Sequence, residues 1–265
     1  MGVYAVTGGS SGIGAAVVEL LRKDGHEVIN IDLKNGDICA NLATVEGRQA
    51  AIDGLYERCP KGLDGIVCNA GVSGSCGNYE LVISLNYFGT VKLARGVYEL
   101  LKKKHGSVVV TVSNVSNTIS QGTGRMDIVD LLNNVGDEQR IRSIVSTLDT
   151  ANQTVGQSMY MATKYALARW VRRISASWAA NGVRVNAVAP GNVRTAMTDS
   201  LSDAAKYAVS ALPIPVRYGS DALMDPSEIA ESMKFLLSDA ARGVNGIILF
   251  TDGGTDALLN SEKVY

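Results

Sequence analysis

The chain is poor in the residues that build metal or disulfide frameworks. Its 265 residues include four cysteines, Cys39, Cys59, Cys68 and Cys76, and two histidines, His26 and His105. The cysteines fall 20, 9 and 8 residues apart with no C-x-x-C pair, which speaks against a zinc ribbon or a disulfide scaffold. No metal is expected, and the thiols read as reduced. An excess of one charge is lacking too: 25 Lys+Arg against 26 Asp+Glu leave −1, so no bulk field gathers nucleic acid or an anionic membrane. No stretch approaches the ~18 consecutive apolar residues of a membrane-spanning helix. Met1 runs directly into Val3-Tyr4-Ala5-Val6, without the basic segment and cleavage site of a secretory signal. These absences point to a cytoplasmic protein that meets its partners through a local site, with neither nucleic acid nor membrane among them.

What is present is a 46% hydrophobic, 19% charged chain of globular composition, rich in glycine at 28 residues. Apolar runs of strand length alternate with helical periods from the first residues onward, which is the pattern of an α/β protein. The expected fold is one doubly wound Rossmann-type domain over residues 1–265, with a mostly parallel sheet. Strands are predicted at Val3–Val6, Glu27–Ile31, Gly36–Ala40, Gly65–Cys68, Val108–Val112, Val183–Ala189 and Ile247–Phe250. Between Asp32 and Gly36 there is no room for a helical crossover, so a tight loop replaces one helix. The long helices are predicted from about Asn86 to Lys103 and from about Ser158 to Ala180. A helical insertion, about 118–157, precedes the second of these. It either shapes the cleft entrance or alters a helix-to-helix dimer surface.

Thr7-Gly8-Gly9-Ser10-Ser11-Gly12-Ile13-Gly14 follows a strand and opens a helix. In that context Gly8 allows the tight turn, Gly12 lets backbone approach a pyrophosphate, and Gly14 lets the helix pack on the sheet. The diphosphate then lies on free N–H groups at the helix N-terminus. Asp32 falls 18 residues after Gly14 at the end of the next strand. There a carboxylate accepts both adenosine ribose hydroxyls and repels a 2′-phosphate, favouring NAD over NADP. Lys34 is the one nearby cation that blurs the preference. Tyr160 and Lys164 are four apart, hence on one helix face. An ammonium beside the phenol, helped by the positive nicotinamide ring, moves the phenol from a pKa near ~10 toward the working range of a general base.

Taken together, Thr7-Gly8-x-x-x-Gly12-x-Gly14, Asn69-Ala70-Gly71, Asn86, Tyr160-x-x-x-Lys164 and Pro190-Gly191-x-x-x-Thr195 resemble the short-chain dehydrogenase/reductase family over nearly the whole chain. The resemblance implies that Tyr160 is the general acid/base, Lys164 its activator and holder of the nicotinamide ribose, and Asn86 part of a proton relay. It implies that Asn69, Ala70 and Gly71 line the adenine-to-ribose path and that Val193 and Thr195 contact the carboxamide. The cofactor set on this reading is Gly8, Ser10, Ser11, Gly12, Ile13 and Gly14, then Asp32 and Leu33, Asn41 and Leu42, and Asn69, Ala70 and Gly71. It is completed by Tyr160, Lys164, Pro190, Gly191, Val193 and Thr195. A homo-oligomer, dimer or tetramer, is also implied. The shortened segment Ile31–Leu42, the run Ser84–Gly89 and the insertion are similar to those of a bacterial hydroxysteroid dehydrogenase and carbonyl reductase subgroup, implying a hydroxysteroid or other bulky carbonyl substrate.

The chain departs from the family where a catalytic serine is expected. Alignment on Val115 puts Asn114 in that slot and is slightly preferred; alignment from Gly106 puts Ser113 there. An Asn amide donates to a carbonyl as a hydroxyl does, but it is bulkier and cannot relay a proton through one rotating O–H. The segment Ala196–Met224, with Met197, Leu201, Val209, Leu212, Ile214 and Val216, reads as a lid over an apolar substrate or as a surface helix packing its own apolar face. Two other readings compete: a dinucleotide-binding module with weak or absent catalysis, motivated by Asn114, and a sugar-nucleotide epimerase or dehydratase, which shares Tyr-x-x-x-Lys.

Overall fold

Apolar runs with strict two-residue alternation feed two separate cores. Val108 and Val110 point to one side of the sheet, with Ala5, Ile29 and Ile66, while Val109 points to the other, with Val6, Val28 and Val67. The structure, a computed structural model, describes residues 1–115, 124–199, 213–217 and 223–263. Its strands are β1 (Val3–Thr7), β2 (Glu27–Asp32), β3 (Ile38–Cys39), β4 (Gly65–Cys68), β5 (Ser107–Thr111), β6 (Arg184–Pro190) and β7 (Ile248–Thr251). They form one sheet in the order β3-β2-β1-β4-β5-β6-β7, every neighbour parallel. Helices cover both faces, as a parallel sheet requires. The order reverses between β1 and β4, and a crevice opens at their carboxyl ends.

On one face lie α1 (Gly12–Lys23) and the helix Pro226–Leu237, packed over Val17, Val18, Leu21, Ile229 and Met233. On the other lie α2 (Val45–Arg58), the helical stretch 79–102 and the long helix Gln153–Ala179. Each fully buried Val or Leu in these layers contributes about 1.5–3 kcal/mol.

The tight loop between β2 and β3 is as expected. Asp37 folds it back, its carboxylate accepting the Asn30 N–H at 2.8 Å and pairing with Arg22 at 3.2 Å. Two helix starts differ from the sequence expectation. The first stretch begins at Tyr79 and widens into π-helix over Val82–Gly89, so Asn86 lies within it and does not open it. The long helix begins at Gln153, because the Asn152 side chain accepts the Thr154 and Val155 N–H groups at 3.0 and 3.4 Å. Apolar period alone did not reveal either cap.

The insertion, of which 118–123 lie outside the described residues, lays Met126–Asp130, Leu131–Val135 and Glu138–Val145 across the outer faces of both long helices. Ile128, Leu132, Ile141 and Val145 are fully or almost fully buried in the shared core. Asp130 pairs with Arg169 at 2.9 Å, and Arg142 with Glu80 at 3.2 Å. Its exit is fixed where the Tyr79 hydroxyl donates toward the Asp149 and Asn152 carbonyls. The insertion thus covers helix surface and also sets the start of the helix that borders the cleft.

Candidate active site

A cavity of about 990 Å³ runs along the carboxyl edge of the sheet from Asp32 at one end to Gln157 and Met197 at the other. The glycine turn forms part of its floor. Gly8 has φ +68° and Gly12 φ +53°, conformations that a side chain resists. A Cβ on Gly8 would lie 3.0 Å from Ala70 Cα, and one on Gly12 3.1 Å from Thr195 Cγ2. The bare backbone therefore forms a cradle that any side chain would fill, which suits a pyrophosphate at the N-terminus of α1. Thr7 ties this turn to the next: its hydroxyl oxygen accepts the Asn69 and Ala70 N–H groups at 2.9 and 3.0 Å.

Asp32 ends β2 with one carboxylate oxygen accepting the Ser10 N–H at 3.0 Å and the other the Leu33 N–H at 2.7 Å. Both amides hold the carboxylate at the cavity wall, where it retains lone pairs for a diol. Every residue of the expected cofactor set except Ser10 and Gly14 lines the cavity; Gly14 instead packs against the Gly8 carbonyl, which any Cβ there would strike. The Ser10 hydroxyl turns away and donates to the Lys34 carbonyl at 3.1 Å.

At the other end Tyr160 and Lys164 share the cavity face of the long helix. The Lys164 Nζ lies 5.6 Å from the Tyr160 ring centroid. It donates to the Thr111 carbonyl at 2.8 Å and is 5% exposed. Burial pushes its ammonium down to about 8. Burial also pushes the Tyr160 phenol up from its ordinary value, and a hydrogen bond with the Ser113 hydroxyl draws it partway back. The protein alone therefore does not give the depressed phenol expected from Tyr-x-x-x-Lys. The Lys164 charge is spent on Thr111, and the desolvation is large.

Ser113 and Asn114 face different partners. Ser113 reaches the Tyr160 hydroxyl, whereas the Asn114 amide donates to the buried carboxylate of Asp252 at 3.4 Å. Both border the cavity, but the slight preference for Asn114 drawn from alignment is not where the hydroxyl contact lies. Asp252 also accepts the Gly254 and Asp256 N–H groups at 3.0 and 2.7 Å.

Asn86 is fully buried and does not border the cavity. Its side chain clips both backbone groups of Val72, accepting the N–H at 2.8 Å and donating to the carbonyl at 3.0 Å. It thereby holds the Asn69–Val72 turn against the π-helical stretch. Of the expected lid, Leu201, Val209 and Leu212 lie outside the described residues. Met197 borders the cavity, Ile214 is buried in the second core and Val216 is exposed.

Sequence reasoning missed Thr111, whose backbone carbonyl carries no signal. It also missed Thr154 and Gln157, which line the cavity two turns and one turn before Tyr160 on the same face. Their i, i+3 spacing was available. Leu81, Leu85, Val115 and Met197 form apolar wall around them.

Comparison with known proteins places the chain in a family. A family model described as short chain dehydrogenase matches residues 2–126, and one described as Enoyl-(Acyl carrier protein) reductase matches 134–256. The chain is 33% identical over 259 residues to the 3-alpha-hydroxysteroid dehydrogenase/carbonyl reductase of Comamonas testosteroni, covering 98% of each. It is 28% identical to the 3-oxoacyl-[acyl-carrier-protein] reductase of Rickettsia felis, covering 94% of each. Among solved structures, the 3-alpha-hydroxysteroid dehydrogenase of Pseudomonas sp. B-0831, complexed with NADH, superimposes with a TM-score of 0.88 at 35% identity, over 98% of this chain and 99% of that one. With a glycine turn, a tyrosine–lysine pair and relatives at that identity along its whole length, the chain belongs to the short-chain dehydrogenase/reductase family of oxidoreductases.

Proposed function

We propose that the protein is an NAD-dependent dehydrogenase that interconverts a secondary alcohol and a ketone, with a hydroxysteroid or similarly bulky carbonyl compound as substrate. The observation that carries this is that Tyr160, Lys164 and Ser113 share one end of a single cavity, with Lys164 Nζ 5.6 Å from the Tyr160 ring centroid, while Asp32 and the glycine turn border the other end. The cavity has the size and the mostly apolar wall of a site for a dinucleotide and a second molecule. The names of the Comamonas and Pseudomonas relatives support the substrate class. The four free thiols, two of them buried, suit the reducing cytoplasm. No described helix is long and apolar enough to cross a membrane. A homo-oligomer remains part of the proposal.

The bound nicotinamide dinucleotide supplies the hydride acceptor or donor. Asp32 holds the adenosine ribose, the Gly8–Gly14 turn the pyrophosphate, and Val193 and Thr195 the carboxamide. Tyr160 removes the alcohol proton in oxidation and returns it in reduction. Ser113 orients the substrate oxygen and steadies the phenol. Lys164 lies near the ring and stabilises the phenolate as the proton leaves, and it holds the second ribose. Asn86 fixes the Val72 backbone, and with it the turn beneath the cofactor.

The assignment of the oxygen-orienting group is tested by two alanine variants. Ser113→Ala is expected to lower kcat by about 10²–10³-fold, and Asn114→Ala by about tenfold or less, since its amide donates to Asp252. Equal losses from steady-state assays would return the role to Asn114. For the cofactor, Asp32→Ala is expected to raise KM for NAD by about tenfold and to improve use of NADP. Unchanged preference between the two would place the selectivity elsewhere. The overall reading is tested by following NADH formation with hydroxysteroids and with small secondary alcohols. NAD binding without turnover of any of them would favour the non-catalytic module.

A further inference from the structure

Arg48 is a long cationic side chain on α2, and it is buried. Only 4% of the residue is exposed, and neither it nor its partner borders the cavity. Its guanidinium meets the Glu138 carboxylate through two bonds, of 2.6 and 3.2 Å, where Glu138 opens the insertion helix Glu138–Val145. The same Nη1 donates to the Leu42 carbonyl at 3.4 Å and to the Ser84 carbonyl at 3.5 Å. One guanidinium thus joins the insertion, the π-helical stretch that carries Asn86, and the Asn41–Leu42 segment that borders the cavity beside Asp32.

An isolated buried ion pair gives little stability beyond what two apolar side chains of similar size would give. Its geometric effect is larger, because a planar fork with five donors fixes the directions of everything it bonds. The Leu42 carbonyl is confined from a second side as well: a Cβ on Gly89 would lie 3.1 Å from it. Asn41 is held in turn by Thr44, whose hydroxyl donates to the Asn41 carbonyl at 3.2 Å while capping α2.

We propose that the Arg48–Glu138 pair is a positioning device through which the helical insertion sets the Asn41–Leu42 wall of the cofactor site, and hence the affinity for the dinucleotide. This rests on the nicotinamide dinucleotide reading given above. Arg48 and Glu138 act through Leu42 and touch neither substrate nor reacting atoms.

The test uses the full chain and NADH, with binding followed by NADH fluorescence and folding by thermal melting. Glu138→Gln and Arg48→Lys, which weaken the fork but keep its polarity, are expected to raise the NADH dissociation constant by about fivefold to fiftyfold, Arg48→Lys the less of the two. At saturating NADH their kcat should stay within about twofold of wild type. The double variant Arg48→Met with Glu138→Leu separates positioning from stability. It is expected to recover most of the melting temperature while NADH binding stays weak. Wild-type NADH affinity in any of these folded variants overturns the inference, as does a loss confined to kcat. Wild-type protein that binds neither NADH nor NADPH overturns the cofactor reading itself, a distinct result.

Discussion

A Tyr160→Phe variant is expected to bind NADH as the wild type does and to lose turnover by about 10³-fold or more. The substitution removes one oxygen from a ring that otherwise keeps its place on the long helix. The ring stays 5.6 Å from Lys164 Nζ, and the cradle of Gly8 and Gly12 is untouched. What disappears is the hydroxyl that Ser113 meets and that, on the proposed mechanism, takes and returns the proton. Burial alone moves the phenol the wrong way for a base at neutral pH. On the proposed mechanism the compensation would come from the positive charge of a bound oxidised nicotinamide. Kinetics with a bulky secondary alcohol, together with an NADH titration, check the split. Retained turnover would sink the mechanism, and lost NADH binding would show that the ring, not its hydroxyl, is what matters.

The second large effect concerns Lys164 and has opposite signs for stability and activity. Lys164→Met is expected to abolish measurable turnover while raising the stability of the cofactor-free protein at neutral pH by about 1–3 kcal/mol. The folded chain holds this ammonium at about 8, against ~10.4 in an unfolded chain. Between those values the unfolded chain binds more protons, so the unfolding free energy of the wild type rises with pH from about 8 to about 10.4. Below pH 8 the full cost of burying the charge is present, and above ~10.4 it is gone. The lost contact to the Thr111 carbonyl offsets part of the gain. Melting curves of both proteins across that range read the prediction: the advantage of the variant should be largest below pH 8 and shrink toward pH 10. An advantage that does not change with pH would mean that burial of this charge is not its source. A stabilised but inactive variant would mark Lys164 as a group kept for function at the expense of stability.

Much of the site was legible because its parts are local. Gly8, Gly12 and Gly14 follow a strand and open a helix, and that context fixes a turn of bare backbone whatever the rest of the chain does. Asp32 ends the next strand, so its carboxylate had to emerge at the same sheet edge. Tyr160 and Lys164 are one turn apart on any helix that contains them. The missing crossover after Asp32 was legible by counting, since too few residues remain to build a helix.

Other features were not legible, for reasons that can be named residue by residue. Thr111 contributes its carbonyl, and a backbone group leaves no trace in residue type. Arg48 lies on an exposed-looking stretch of α2, yet it is buried against Leu42, Ser84 and Glu138, the last of them 90 residues later in the insertion. Asn86 was read as part of a relay, yet its amide is committed to the Val72 backbone. That commitment depends on where the β4 turn meets the π-helical stretch.

The sequence by itself determined the doubly wound class, the dinucleotide turn, the acidic strand end and the helix that carries tyrosine and lysine. The class follows from the alternation of strand and helix periods along the chain, and the other three from spacing within about twenty residues, where backbone geometry converts sequence directly into position. The tertiary structure decided which of two adjacent residues meets the Tyr160 phenol. Ser113 and Asn114 leave β5 on opposite headings. Both border the cavity, and the packing of the chain after β5 between the long helix and Asp252 sets Ser113 beside Tyr160 and the Asn114 amide on Asp252. A contact of that kind is set by how distant elements dock, and no local pattern carries it.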